Sequence, residues 1–246
     1  MYIKKEVASK KIAQKYRPIV SDVKKSLLNF APKIHSIYLY GSVATGKAKS
    51  PASDLDILIV LKRKVSKQLT IDLKEVERTL SLKYAHVLRE VGFSLTNVNE
   101  VKRGKETYAW KFFISTLCLL IQGKAVLEEK YKFKPTKKLA RSLYRDLKQD
   151  LSRSRKEIAS AKNTAKPTKH IMKALLRVSF FTIMEEANNW TTDLRQMAAI
   201  FLEYHPEKRP EISAIQKLIE TPTNRKEAIH LIDTYGKWIA KKYYAL

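Results

Sequence analysis

Apolar and polar positions follow two rhythms along this chain, and the change between them divides it. In the first half, short apolar runs alternate with helical stripes. Ile37-Tyr38-Leu39-Tyr40 ends abruptly at Gly41-Ser42, Ile57-Leu58-Ile59-Val60 follows a small-residue loop, and Phe93 to Val98 forms a third run; each reads as a strand. Before the first strand, residues 4–29 space Val7, Ile12, Ile19, Val23, Leu27 and Leu28 at helical intervals, with Pro18 interrupting or restarting the helix. Between the second and third strands, Ser66 can cap a helix whose stripe (Leu69, Leu73, Val76, Leu80, Tyr84, Val87, Leu88) continues to about Glu90, with Gly92 ending it. Residues 105–122 read as a mostly apolar helix stopped by Gly123, and Val126-Leu127 as a short edge strand. From Thr136 onward only helical spacing remains. The expected helices run from Thr136 to about Asn163, over 168–188 behind Pro167, from Asp193 to Glu203, from about Glu211 to Ile219, and from Thr223 or Asn224 to near Tyr244. The expectation is an α+β chain: a small mixed β-sheet with flanking helices over 1–128, then an all-α helical bundle over 129–246.

Charge sharpens this picture. Among 246 residues, 49 Lys and Arg stand against 24 Asp and Glu, leaving a formal charge of +25. Such a balance draws polyanions at long range, nucleic acid first among them, although a solubility habit would produce the same number. The single Cys118 excludes an internal disulfide framework and multi-cysteine zinc sites, which points to a reducing, cytoplasmic setting. The opening MYIKKEVASKK has no apolar core for a signal peptide, and Phe112–Ile121 is too short to span a membrane, so no membrane partner is expected.

The chemistry concentrates between Ile34 and Leu61. Asp54 and Asp56 are separated by one residue at the start of a strand, where i and i+2 share a face while Leu55 turns to the core. Two neighbouring carboxylates repel unless a cation lies between them, and a hard divalent ion that also takes phosphate oxygens suits such a pair. Gly41 permits close backbone approach, and amides and a hydroxyl at the Gly41-Ser42 corner can hold phosphate oxygens. The alternative is a pair of strands with a solvated acidic tip; it accounts for Gly41 as a turn residue but not for two acids opening an apolar strand.

Gly-Ser-x-Ala-x-Gly-Lys followed by Ser-Asp-x-Asp, in that order and with each part tied to a predicted strand, resembles the polymerase-beta-like nucleotidyltransferase superfamily, and most closely its small bacterial and archaeal members. The resemblance implies a nucleotidyltransferase fold and transfer of a nucleoside monophosphate from an NTP to an acceptor hydroxyl, with release of pyrophosphate. It makes Asp54 and Asp56 catalytic and metal-binding through Mg²⁺ (or Mn²⁺), and it makes Gly41, Ser42, Lys47 and Ser53 nucleotide-binding, with Lys47 equally readable as a solvated loop lysine. Fuller members carry a third carboxylate on the third strand. Here that strand offers Ser94, Thr96 and Asn97, and Glu100 just beyond it is either an inward-reaching catalytic acid or a solvated glutamate.

Lys138, Arg141, Arg145, Lys148 and Arg155 recur along the helix after Thr136, and such a row either follows an RNA backbone or is a solvated face. RNA of the transfer-RNA kind is the expected acceptor, in keeping with toxins of the superfamily and with a cognate toxin or antitoxin protein as partner. An aminoglycoside-type or protein adenylyltransferase is the alternative, and a catalytically weak nucleotide- or RNA-binding or antitoxin module is the non-enzymatic one. Arg225 and His230 match a helical ribonuclease spacing that two residues also reach by chance.

Overall fold

The computed structural model describes residues 1–128 and 131–246; residue 129, at which the sequence reading opens its second domain, lies outside them. The chain forms two compact units. One spans Ile3–Phe133, and the other comprises Lys134–Leu246 together with Met1–Tyr2.

The first unit is built on one four-stranded mixed sheet: β1 (Ile34–Tyr40), β2 (Leu55–Leu61), β3 (Val91–Asn97) and β4 (Leu119–Gly123), in the order β3-β2-β1-β4. β1 runs antiparallel to both its neighbours, and β2 runs parallel to β3. Inward residues of β1 and β2 alternate between two cores, as strand geometry requires. Ile37, Leu39, Ile57 and Ile59 pack with Ile19 and Val23 of α1 (Arg17–Ser26). They also pack with Leu69, Leu73 and Leu80 of α3 (Lys67–Lys83); α2 is the short turn Gly41–Thr45 between β1 and β2. On the other face, Tyr38, Leu58 and Val60 meet Val101 of α4 (Val98–Arg103), Ile114 and Cys118. The Tyr38 hydroxyl accepts a 2.9 Å bond from the buried Val126 amide. Edge strand β3 is guarded by α3: Ser81 Oγ accepts from the Val91 amide at 2.9 Å and Glu77 from the Phe93 amide at 2.6 Å, which blunts an otherwise open edge.

Several expected elements are corrected. Residues 4–16 form no α-helix; two 3₁₀ turns precede α1, which starts at Arg17 with Pro18 in its first turn, so the proline restarts the chain as a helix. α3 ends at Lys83, and Gly92 lies inside β3 rather than closing a helix. The apolar stretch 105–122 is α5 (Thr107–Phe112), a π-helical turn Phe113–Leu117 and then β4. Cys118 is extended (φ −113°, ψ 141°), and β4, rather than Val126-Leu127, is the fourth strand. A continuous apolar run does not distinguish a buried helix from a buried strand; pairing with β1 decided it.

The second unit is all helical: α6 (Lys137–Leu143), α7 (Leu147–Ser160), α8 (Ala165–Ile183), α9 (Leu194–Tyr204), α10 (Arg209–Glu220), α11 (Arg225–Leu231), a π-helical turn Ile232–Gly236 and α12 (Lys237–Tyr244). α8 is central, burying Ile171, Leu175, Val178 and Phe180 against its neighbours. The single helix expected from Thr136 to Asn163 breaks at Tyr144 (φ −147°, ψ 86°). Tyr144 donates its hydroxyl proton to Asp150, while the Tyr244 hydroxyl donates to the Arg145 carbonyl and accepts from the Lys148 amide, so side chains replace the missing helical bonds. Among the described residues, no helix is long and apolar enough to cross a membrane.

Candidate active site

Antiparallel pairing of β1 with β2 sets Tyr40 opposite Asp56 and thereby brings the Gly-Ser corner to the acidic pair. Gly41 takes a positive φ of 73°, and a Cβ built on it would lie 2.2 Å from Asp56 Oδ2. The Asp56 carboxylate therefore lies against the Gly41 backbone, in space that only glycine leaves open. α2 follows at once, with Lys47 donating its amide to the Ser42 carbonyl at 2.9 Å. Ser53 closes the loop on itself: its amide donates to the Lys49 carbonyl and its hydroxyl accepts from the Lys49 amide, both at 2.8 Å.

Asp54 has one oxygen engaged and one not. Arg89 donates to Oδ2, whereas Oδ1 is buried without a hydrogen-bond partner. Arg89 had no place in the sequence reading, which put it near the end of a helix. It arrives through the parallel pairing of β2 with β3, in which Leu55 faces Val91; the Leu55 amide donates to the Glu90 carbonyl and the Arg89 amide to the Ser53 carbonyl. Its side chain remains about half exposed.

Tyr40 and Ser94 complete this face of the sheet. Their hydroxyls are 2.9 Å apart, and Tyr40 packs edge-on against Phe113 with ring centroids 5.0 Å apart. Burial pushes the Tyr40 hydroxyl up to about 12; the Ser94 bond pulls it partly back, and the Asp56 charge adds to the rise. Tyr40 is thus a neutral hydroxyl beside the acidic pair at neutral pH. Strand periodicity places it there, but only the sheet order shows that Ser94 meets it.

The remaining sequence candidates are dispersed. Glu100 sits exposed in the first turn of α4, where its amide donates to Asn97 Oδ1 at 3.0 Å; it follows the far end of β3 from Gly92, the residue paired with Asp56. Lys47 extends to Glu6, 3.9 Å away and exposed. In the helical unit, Lys138 and Arg141 lie on α6, Arg145 in the break, and Lys148 and Arg155 on α7, so the basic row does not follow a single helix. Arg155 is held by both oxygens of Asp233 at 2.8 and 2.9 Å. Arg225 donates to the carbonyls of Ala159 and Ala161 at the end of α7, a helix-capping position, and His230 is exposed on α11.

Two carboxylates with an orphaned buried oxygen fit a divalent cation that completes its shell with phosphate oxygens. Among the described residues, no group of three or more His, Cys, Asp or Glu forms an all-protein cage.

A family model of the nucleotidyltransferase domain matches residues 20–108, which contain β1, α2, β2, α3 and β3. No curated protein matches the chain. Among solved structures, the chain is similar to spectinomycin adenyltransferase AAD(9) from Enterococcus faecialis, crystallised with ATP and spectinomycin. The likeness has a TM-score of 0.58 and 12% identity and covers 92% of this chain and 98% of that one. At that identity it is a likeness of fold. The matched segment holds both halves of the motif, the Gly41-Ser42 corner after β1 and the acidic pair at the start of β2, and residues 20–108 of this chain are a nucleotidyltransferase domain of the polymerase-beta-like kind.

Proposed function

We propose that this enzyme transfers a nucleoside monophosphate from an NTP to a hydroxyl of RNA, with Asp54 and Asp56 as the divalent-cation ligands. The observation that carries the site is the buried, unpartnered Asp54 Oδ1 beside an Asp56 carboxylate laid against Gly41. A bound Mg²⁺ or Mn²⁺ supplies charge neutralisation at the phosphates. The acceptor oxygen bonds to the α-phosphorus, the bond to the bridging oxygen breaks, pyrophosphate leaves with the electron pair, and the hydroxyl proton passes to solvent. The chain's residues bind and orient. Amides of the Gly41-Ser42 corner, with the Ser42 hydroxyl, grip phosphate oxygens, and the Ser53–Lys49 bonds hold the loop's shape for them. Tyr40 stays protonated and presents a neutral hydroxyl beside Asp56. Arg89 neutralises Asp54 until the nucleotide arrives and then offers its guanidinium to the phosphates.

Charge is what supports the RNA acceptor. A surplus of 25 positive charges favours a polyanion and repels a cationic drug. A second reading, adenylyl transfer to an aminocyclitol-like small molecule, draws on the fold shared with the spectinomycin enzyme over nearly the whole of both chains. One experiment separates them: each of the four α-labelled NTPs is incubated with Mg²⁺ and either total RNA or spectinomycin, beside the Asp54→Asn/Asp56→Asn variant. Label on RNA with wild type alone supports the RNA reading and identifies the nucleotide. Label on spectinomycin alone replaces it with the second reading, and label on neither, with Mg²⁺-dependent NTP binding intact, leaves a nucleotide-binding module.

A further inference from the structure

We propose that the groove between α7 and the C-terminal run of the helical unit binds single-stranded RNA, with a base stacked on Tyr244 and phosphates on Lys148, Lys237 and Lys241. This deepens the RNA reading above and rests on it. The groove encloses about 690 Å³, the volume of an ordinary ligand site. Its floor is apolar, made by Leu151, Ile232 and Ala240. The three lysines along it are all exposed.

Tyr244 makes this more than a basic patch. The residue is 44% exposed, yet its hydroxyl is tied to the Arg145 carbonyl at 3.1 Å and to the Lys148 amide at 3.2 Å. Lys148 Nζ lies over the ring, 4.9 Å from its centroid, so a base stacking on that face displaces the ammonium towards a phosphate. The ring is therefore immobilised before any ligand arrives, which lowers the cost of stacking on it. Neighbouring Tyr243 and nearby Tyr235 are buried and serve packing instead. Arg155 also lines the groove, but Asp233 neutralises it, so the local positive excess rests on the lysines. The wall opposite α7 includes the π-helical turn Ile232–Gly236, a distortion that recurs at functional sites.

The occupant is read from the combination. Several cations call for several anionic groups in a row, and a fixed aromatic face above an apolar floor calls for flat rings between them. A single strand with unstacked bases provides both in every repeat unit, whereas a duplex hides its base faces and an acidic peptide does not couple a ring to each anionic group.

The test measures binding of a fluorescent single-stranded RNA oligonucleotide to the full chain by anisotropy across a salt series. The variants are Tyr244→Phe, Tyr244→Leu and Lys237→Gln/Lys241→Gln, each checked by thermal melting. Tyr244→Phe keeps the ring and retains affinity within a fewfold, whereas Tyr244→Leu weakens binding about tenfold or more. Loss of two phosphate contacts reduces the slope of log affinity against log salt by about 1.4, at ~0.7 per contact for single strands. An unchanged slope in the lysine variant overturns the proposal, as does equal affinity for Leu and Phe at 244. RNA labelling by wild type with unaffected variants removes the groove alone, while absence of wild-type RNA binding removes the RNA reading and the groove together.

Discussion

At the scale of the residue, the site is a balance of charges held by backbone geometry. Asp54 is paired with Arg89 on one oxygen and orphaned on the other, an arrangement that is incomplete without a further positive ligand. Under the proposed function Arg89 would compete with a cation for Asp54 while favouring a nucleotide's phosphates, so its removal separates two affinities that ordinarily move together. Arg89→Gln is expected to bind Mn²⁺ alone severalfold more tightly and Mn²⁺–ATP about tenfold more weakly, read by electron paramagnetic resonance and calorimetry. A purely structural arginine would weaken both. Arg89 itself was not legible in the chain, because nothing local marks a residue that reaches the site only when β3 pairs with β2.

At the scale of elements, α1 and α3 are joined by a polar clasp beside their shared core. Lys83 and Tyr84 donate to Asp22 Oδ2 at 2.5 and 2.6 Å, and these bonds, the Lys83 bond foremost, hold the Asp22 carboxyl below its usual range. A carboxyl with a lowered folded pKa contributes stability that is complete above its unfolded value of about 3.9 and drains away as pH falls through the folded value. Asp22→Asn is therefore expected to lower the melting temperature at neutral pH and to make the acid limb of a melting-temperature profile shallower below about pH 4. Parallel melting curves of variant and wild type at every pH would refute that assignment. On the sheet's other face, Tyr38→Phe leaves the buried Val126 amide unpaired, at a cost of about 1–3 kcal/mol readable by urea titration.

At the scale of the whole molecule, the +25 charge makes acceptor choice a question of ionic strength. An RNA acceptor is expected to bind with log Kd rising linearly with log salt, at ~0.7 per phosphate contacted on a single strand. A cationic small acceptor is repelled by the same field, so screening would leave its KM flat or lower it. Steady-state kinetics with each acceptor at rising KCl distinguish the two by the sign of the trend.

The sequence alone determined the α+β class, three of the four strands and the motif order, because strand alternation, a Gly-Ser corner and an Asp-x-Asp pair are local patterns that local sterics enforce. It also located the helix starts at Ser66 and Asp193 and narrowed the last to Thr223 or Asn224; the side chains of Ser66, Asp193 and Asn224 bond amides two or three residues ahead. Only the tertiary structure decided the rest. β4 was hidden in an apolar run that reads equally well as helix until it finds β1, and the long basic helix broke at Tyr144 because Tyr244, about a hundred residues on, supplies the hydroxyl that caps the new start. Arg89 at Asp54, Ser94 at Tyr40 and Tyr244 above its groove are likewise pairings between distant segments, and such contacts are set by how elements pack rather than by their neighbours in the chain.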